Sequence, residues 1–137
     1  MPSNKSPARI DFKNFGNKEN SVQLIKASDN SVRTETPAWF KNETGQGLVL
    51  QSSAGKIDFE LKCAGNGKLK IWLRGIDSRD KNGVRIPIWI NYTAFSIDGI
   101  SILNEPKLVW HDKPFVYELP VKDGEIVTVH AEWQPVD

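Results

Sequence analysis

The sequence predicts an all-β chain: an antiparallel β-sandwich or jelly roll with almost no helix. Three observations carry that expectation. Short runs that alternate apolar and polar residues recur from Val22 onward at a spacing of roughly 8–12 residues, the rhythm of an antiparallel sandwich. The runs are separated by Ala54-Gly55, Gly65-Asn66-Gly67, Lys81-Asn82-Gly83, Asp98-Gly99 and Asp123-Gly124. Asn-Gly and Asp-Gly pairs tolerate positive φ and therefore close tight hairpins. No window places apolar residues at i, i+3, i+4 and i+7 between helix caps.

Taken in order, residues 1–20 are polar and carry Pro2, Pro7 and Gly16, so they read as a leader or linker. Ile10, Phe12 and Phe15 give that segment a means of pinning part of itself to the body. A single β domain follows at 21–137. Alternation places strands near 21–27, 47–52, 56–64, 67–74, 85–93, 94–98, 100–103, 107–111, 115–121 and 125–133. Because side chains alternate across a strand, the inward rows can be named. They are Ile57, Phe59 and Leu61; Leu69, Ile71 and Leu73; Ile88, Ile90 and Tyr92; Phe115, Tyr117 and Leu119; and Val127, Val129, Ala131 and Trp133. Burying one such large side chain is worth about 1.5–3 kcal/mol.

A chain of 137 residues is one domain's worth and long enough to bury a core without covalent staples. Its 18 basic and 17 acidic side chains leave a net charge of +1, so no basic excess exists to neutralise phosphates. Nucleic acid and anionic membrane are therefore not expected as main partners. The lone Cys63 continues the Ile57, Phe59, Leu61 row and reads as a buried, inert thiol. No apolar run is long enough for a signal peptide or a membrane span. Those facts favour a reducing compartment, or a fragment of a larger protein whose targeting signals lie elsewhere.

Two tryptophans break the pattern. In Lys68-Leu69-Lys70-Ile71-Trp72-Leu73-Arg74, Trp72 falls on the charged side of the run. In Ile86-Pro87-Ile88-Trp89-Ile90-Asn91-Tyr92-Thr93, Trp89 falls beside Pro87, Asn91 and Thr93. A large aromatic among charged and amide neighbours asks for a partner. Paired as a hairpin around 75–84, the two runs would set both indoles on one sheet face. Sugars stack C–H faces on aromatic rings while their hydroxyls bond nearby polar groups. Trp72 and Trp89 are thus candidate stacking surfaces, with Arg74, Asn91, Asp77 and Arg79 as polar contacts. The competing reading has a loop, the leader or a partner domain covering this face. Trp39-Phe40 could rim either kind of site.

Other polar groups point less far. Asp77-Ser78-Arg79-Asp80-Lys81-Asn82-Gly83 resembles a calcium loop, but Ser78 and Trp89 occupy positions where an EF-hand needs carboxylates. Arg74, Arg79 and Arg85 flank its acids, so an Arg–carboxylate network bracing a long hairpin is the preferred reading. His130 and Glu132 share the polar side of the last run, and His111-Asp112 occupies a turn before Pro114. Neither pair comes with an identifiable nucleophile. One Cys and two His offer no zinc spacing, and the chain has no phosphate-binding glycine loop and no nucleophile elbow. No catalytic residue, metal ligand or cofactor is assigned.

Leu73-Arg74-Gly75-x-Asp77-x-Arg79-Asp80, then Gly83-x-Arg85-x-Pro87-x-Trp89-Ile90-x-Tyr92-Thr93, resembles a module of bacterial surface-polysaccharide enzymes. Trp110-His111-Asp112-Lys113-Pro114-Phe115 and Glu132-Trp133-x-Pro135 extend the likeness over residues 56–135. The resemblance implies a non-catalytic β module, similar in architecture to carbohydrate-binding modules and appended to a glycosyltransferase or related protein. Its partners would be a poly- or oligosaccharide or, alternatively, the catalytic domain of its parent enzyme. The second case makes it a protein-interaction or oligomerisation domain.

Overall fold

The computed structural model describes residues 7–16, 20–29, 33–35 and 47–136, which form two antiparallel sheets packed over one core. The strands are β1 (Ala8–Phe15), β2 (Ser21–Ala27), β3 (Arg33–Glu35), β4 (Gly47–Ser52), β5 (Lys56–Ala64), β6 (Gly67–Gly75) and β7 (Ser78–Arg79). There follow β8 (Arg85–Ile86), β9 (Ile90–Ile97), β10 (Ile100–Ser101), β11 (Lys107–Val109), β12 (Phe115–Val121) and β13 (Ile126–Pro135). The first sheet runs β12-β6-β1-β4-β3 and the second β10-β9-β13-β5-β2, with β11 also on β9. β7 and β8 form a separate small ribbon. The all-β sandwich predicted from alternation is the fold found. Among the described residues, no helix is long and apolar enough to cross a membrane.

Residues 8–15 depart from the leader reading: β1 is the central strand of the first sheet, between β6 and β4. Ile10 faces Leu73 and Leu50 in register, and Phe12 faces Ile71 and Leu48. Ile10 and Phe12 are fully buried. Ala8, Ile10 and Phe12 do alternate, but Arg9, Asp11 and Lys13 between them give the segment a linker's composition.

The stretch read as strands 85–93 and 94–98 resolves differently. β9 is one strand, and its register on β13 steps from Glu132↔Ala94 to Trp133↔Tyr92, leaving Thr93 as the extra residue of a bulge. The bulge resets parity, so Tyr92 and Phe95 both point into the core. Residues 87–89 belong to no strand. β6 and β9 lie in different sheets, so the expected hairpin joining them around 75–84 is absent.

Across the core, the Phe12 and Phe59 rings meet edge to face at 5.3 Å, and Phe95 meets Phe115 and Tyr117 at 6.4 and 6.1 Å. Phe115, Tyr117 and Leu119 are only partly buried because β12 is an edge strand. Ile88 is likewise half-buried. Cys63 is fully buried, and that burial, aided by the charge of Glu125, pushes its thiol up to about 11. The Asp98-Gly99 turn carries φ of 53° and 81°, the double positive φ that a two-residue hairpin of this twist requires.

At one end of the sandwich the turns are pinned by buried amides. Asn14 Nδ2 donates to the Ala64 and Gly65 carbonyls, and Asn20 Nδ2 to those of Phe15 and Asn66. The backbone approaches so closely that a Cβ on Gly67 would sit 1.9 Å from the Phe15 oxygen. Only glycine fits there.

Candidate functional site

Most of the motif residues converge at the far end of β6, where the β7–β8 ribbon and the turn between β11 and β12 meet. The starting point is Asp11 on β1, which is fully buried and takes two guanidiniums. Arg9 Nε lies 2.9 Å from Asp11 Oδ1, and Arg74 Nε 3.0 Å from Oδ2. A buried carboxylate needs such partners, since desolvation alone would disfavour its charge. Arg74 also feels that burial, which lowers its pKa while Asp11 opposes the shift.

From Arg74 the contacts pass outward. Its second guanidinium nitrogen donates to the His111 carbonyl, and its own carbonyl accepts the Tyr92 hydroxyl at 3.1 Å. Next along the chain, Gly75 packs against the Ile88 carbonyl and Trp110; a Cβ there would lie 2.8 Å from the Ile88 oxygen. The loop carrying Trp89 and the turn carrying Trp110 are thereby held against the same strand end. The turn is closed by a reciprocal backbone pair between Trp110 and Lys113.

Within this end, Asp77 is paired with Arg85 at 3.0 Å and with Arg79 at 3.4 Å. Arg85 also ion-pairs with Asp112, which receives His111 Nδ1 at 3.0 Å. The hydrogen bond from His111 first, joined by hydrogen bonding and charge from Arg85, holds the Asp112 carboxyl below its ordinary range against opposing desolvation. Asp80 Oδ1 accepts the backbone N–H groups of Asn82 and Val84, which shapes the ribbon turn. The Arg–carboxylate network expected from sequence is thus found in part: Arg79 and Arg85 hold Asp77, whereas Arg74 turns to Asp11 and Asp80 is taken by backbone donors. The same end carries the two indoles of Trp89 and Trp110, centroids 6.1 Å apart and tilted by 53°, both half-buried.

The sequence-predicted residues divide accordingly. Trp89, Arg74, Asp77 and Arg79 gather at this end. Asn91, on β9, lies in register with Leu108 of β11 and Gln134 of β13. Trp72 is elsewhere. Its parity is as read, on the side of β6 away from the aliphatic row, in register with Asp11 and Val116. Yet it is only 7% exposed, with Lys70 Nζ 5.2 Å above its ring and Phe15 6.3 Å away. Asp11, Lys13 and Val49 are also fully buried, so this outer face is closed to solvent at its centre. The two indoles expected to form one platform do not share a sheet face. Trp39 and Phe40 lie outside the described residues.

Sequence reasoning passed over Trp110 and Arg85 as site members. The signal was present in Trp110-His111-Asp112-Lys113-Pro114-Phe115, but nothing in chain order shows that this turn meets the 76–89 loop. The other histidine lies on the second sheet. His130 Nδ1 is 2.7 Å from Asp58 Oδ1 and Nε2 is 2.7 Å from Glu132 Oε2, so its neighbours are carboxylates on β5 and β13. Among the described residues, no group of His, Cys, Asp and Glu is arranged to hold a metal ion. No protein-family model matches this chain, and neither a curated protein nor a solved structure shows significant similarity to it.

Proposed function

We propose that this chain is a non-catalytic carbohydrate-contacting module of a bacterial enzyme that builds or processes glycans, residing with that enzyme in the cytoplasm. Sugar contact is placed at the Trp89–Trp110 end rather than at a Trp72–Trp89 platform. The observation that carries the reading is the pair of half-buried, mutually tilted indoles set among arginines and aspartates. Indole faces suit the C–H surfaces of a sugar ring, and fixed guanidinium donors beside carboxylate acceptors suit its hydroxyls. Arg79, Asp77 and Asn91 supply polar contacts, Arg74 holds the turn in place, and Trp72 closes the sheet behind them.

The test is a titration of the protein with neutral and acidic bacterial and plant oligo- and polysaccharides, followed by indole N–H resonances. The expected result is a saturable shift of the Trp89 and Trp110 signals that Trp89→Ala abolishes while the fold is kept. Silence of both indoles across the whole panel would overturn the reading.

A second reading has support of its own: the same end docks a protein, either the parent catalytic domain or another copy. Leu108, 54% exposed, and Ile86, 38% exposed, lie in the short strands that lead to the two indoles. Aromatic residues with apolar neighbours are also what protein interfaces enrich. Sedimentation velocity over a range of concentrations separates the cases, because self-association abolished by Trp89→Ala would favour docking.

A further inference from the structure

We propose that His130 is a protonation-controlled clasp fastening β5 to β13 across the outer face of the second sheet. His130 and Asp58 are directly opposed in the ladder, and Glu132 follows on the same side of β13. The imidazole lies between the two carboxylates, each ring nitrogen 2.7 Å from a carboxylate oxygen. An ionised carboxylate offers acceptors alone, and a neutral imidazole has one N–H and one lone pair. Only the imidazolium donates on both sides at once. Contacts this short are also those of charge-assisted bonds, which are roughly twice as strong as neutral ones.

The surroundings favour the charged ring. On β5, Glu60 stands opposite Thr128 and Lys56 opposite Glu132. β9 presents the uncharged Ser96 opposite His130, and beyond it Asp98, whose carboxylate accepts the Thr128 N–H. Lys26 of β2 is in register with Glu60. The lysines therefore each face a glutamate, while Asp58 and Glu132 face the ring. Hydrogen bonding to Glu132 first, and then to Asp58, raises the His130 pKa above the ordinary 6.5, against the opposing effect of partial burial.

The direction of the pH response follows from that raised value. The clasp is complete below pH 6.5 and is lost as pH rises through the folded-state pKa. Losing it removes one N–H donor and turns an imidazole lone pair toward a carboxylate. Asp58 also lines a shallow hollow of about 150 Å³ with Lys26, Ser28, Glu60 and Thr128. Deprotonation thereby loosens the link between two strands at the edge of that hollow. This inference is independent of the glycan reading, since the clasp and the indoles lie on different parts of the fold.

The decisive comparison is wild type against His130→Gln, melted at pH values from 5.5 to 8.5, with NMR titration of the histidine rings. Wild type should lose roughly 2–4 °C more of its Tm over that range than the variant does. The His130 ring should titrate above 6.5, with both nitrogens protonated in the folded protein at pH 6. Parallel melting profiles, or a ring that titrates at or below 6.5, would overturn the clasp. Should His130→Gln not fold, Asp58→Asn serves instead: it must lower the His130 midpoint, and an unmoved midpoint counts equally against the proposal.

Discussion

On the outer face of the first sheet, Asp11, Lys13, Val49 and Trp72 are shut off from solvent. On the outer face of the second, Lys56, Asp58, Lys62 and Thr128 stand exposed. Both faces come from strands in which polar residues alternate with an aliphatic row, so alternation alone gives them the same expected fate. The difference teaches that alternation tells which side of a strand a residue occupies, and nothing about what lies over that side. Where the side is closed, the polar residues become a second interior with its own requirements. Charges there must be paired, and Asp11 shows how two arginines and one aspartate meet that need.

The contrast can be broken most directly at Asp11. Asp11→Ala leaves two guanidiniums beside a buried vacancy and should cost about 3–5 kcal/mol. That is comparable with Phe59→Ala in the core at about 3–5 kcal/mol. Lys62→Ala on the open face should stay within about 0.5 kcal/mol. Urea denaturation of the three variants decides it, and an Asp11 variant as mild as the Lys62 variant would remove the distinction. Gly67→Ala, where a new Cβ meets the Phe15 carbonyl, should cost about 1–3 kcal/mol in the same assay and show how tightly that end is packed.

An alkaline scan sharpens the picture from the interior side. Cys63 and Tyr92 are both held neutral by burial, their pKa values raised to about 11 and well above 10.0. In the unfolded chain Cys63 ionises near 9.0, so stability from these groups is present below that pH and declines as pH climbs past it. The Tm should fall between about pH 9 and 11, and Cys63→Ala with Tyr92→Phe should flatten the fall. A smaller effect is expected in acrylamide quenching of tryptophan fluorescence. Trp72 is shielded while Trp89 and Trp110 are partly reachable, so Trp89→Phe should reduce the quenchable intensity and Trp72→Phe should leave that intensity unchanged.

Much of the fold was legible. The strands at 21–27, 47–52, 56–64 and 115–121 fall where alternation and turn residues place them. The Ile57, Phe59, Leu61 and Leu69, Ile71, Leu73 rows are buried as read. β1 was not legible as a central strand, because Arg9, Asp11, Lys13 and Asn14 give it the composition of a linker. Nor was the β9 bulge, since a single inserted residue at Thr93 leaves no mark in composition and yet reverses the parity of everything after it. At the candidate site, Arg–carboxylate pairing was foreseen from charge spacing, whereas the meeting of Trp89 with Trp110 was not.

By itself the sequence determined the local facts: extended backbone, the positions of most turns, and which residues share a side, such as Cys63 with Ile57, Phe59 and Leu61. Those depend on chemistry between near neighbours. Only the tertiary structure decided that β6 and β9 belong to different sheets, that Trp72 is closed in while Trp89 joins Trp110, and that Asp11 organises a turn a hundred residues later. The reason is that sheet order and face coverage depend on long-range pairing, and a period of two carries no information about which strand, or which loop, comes alongside.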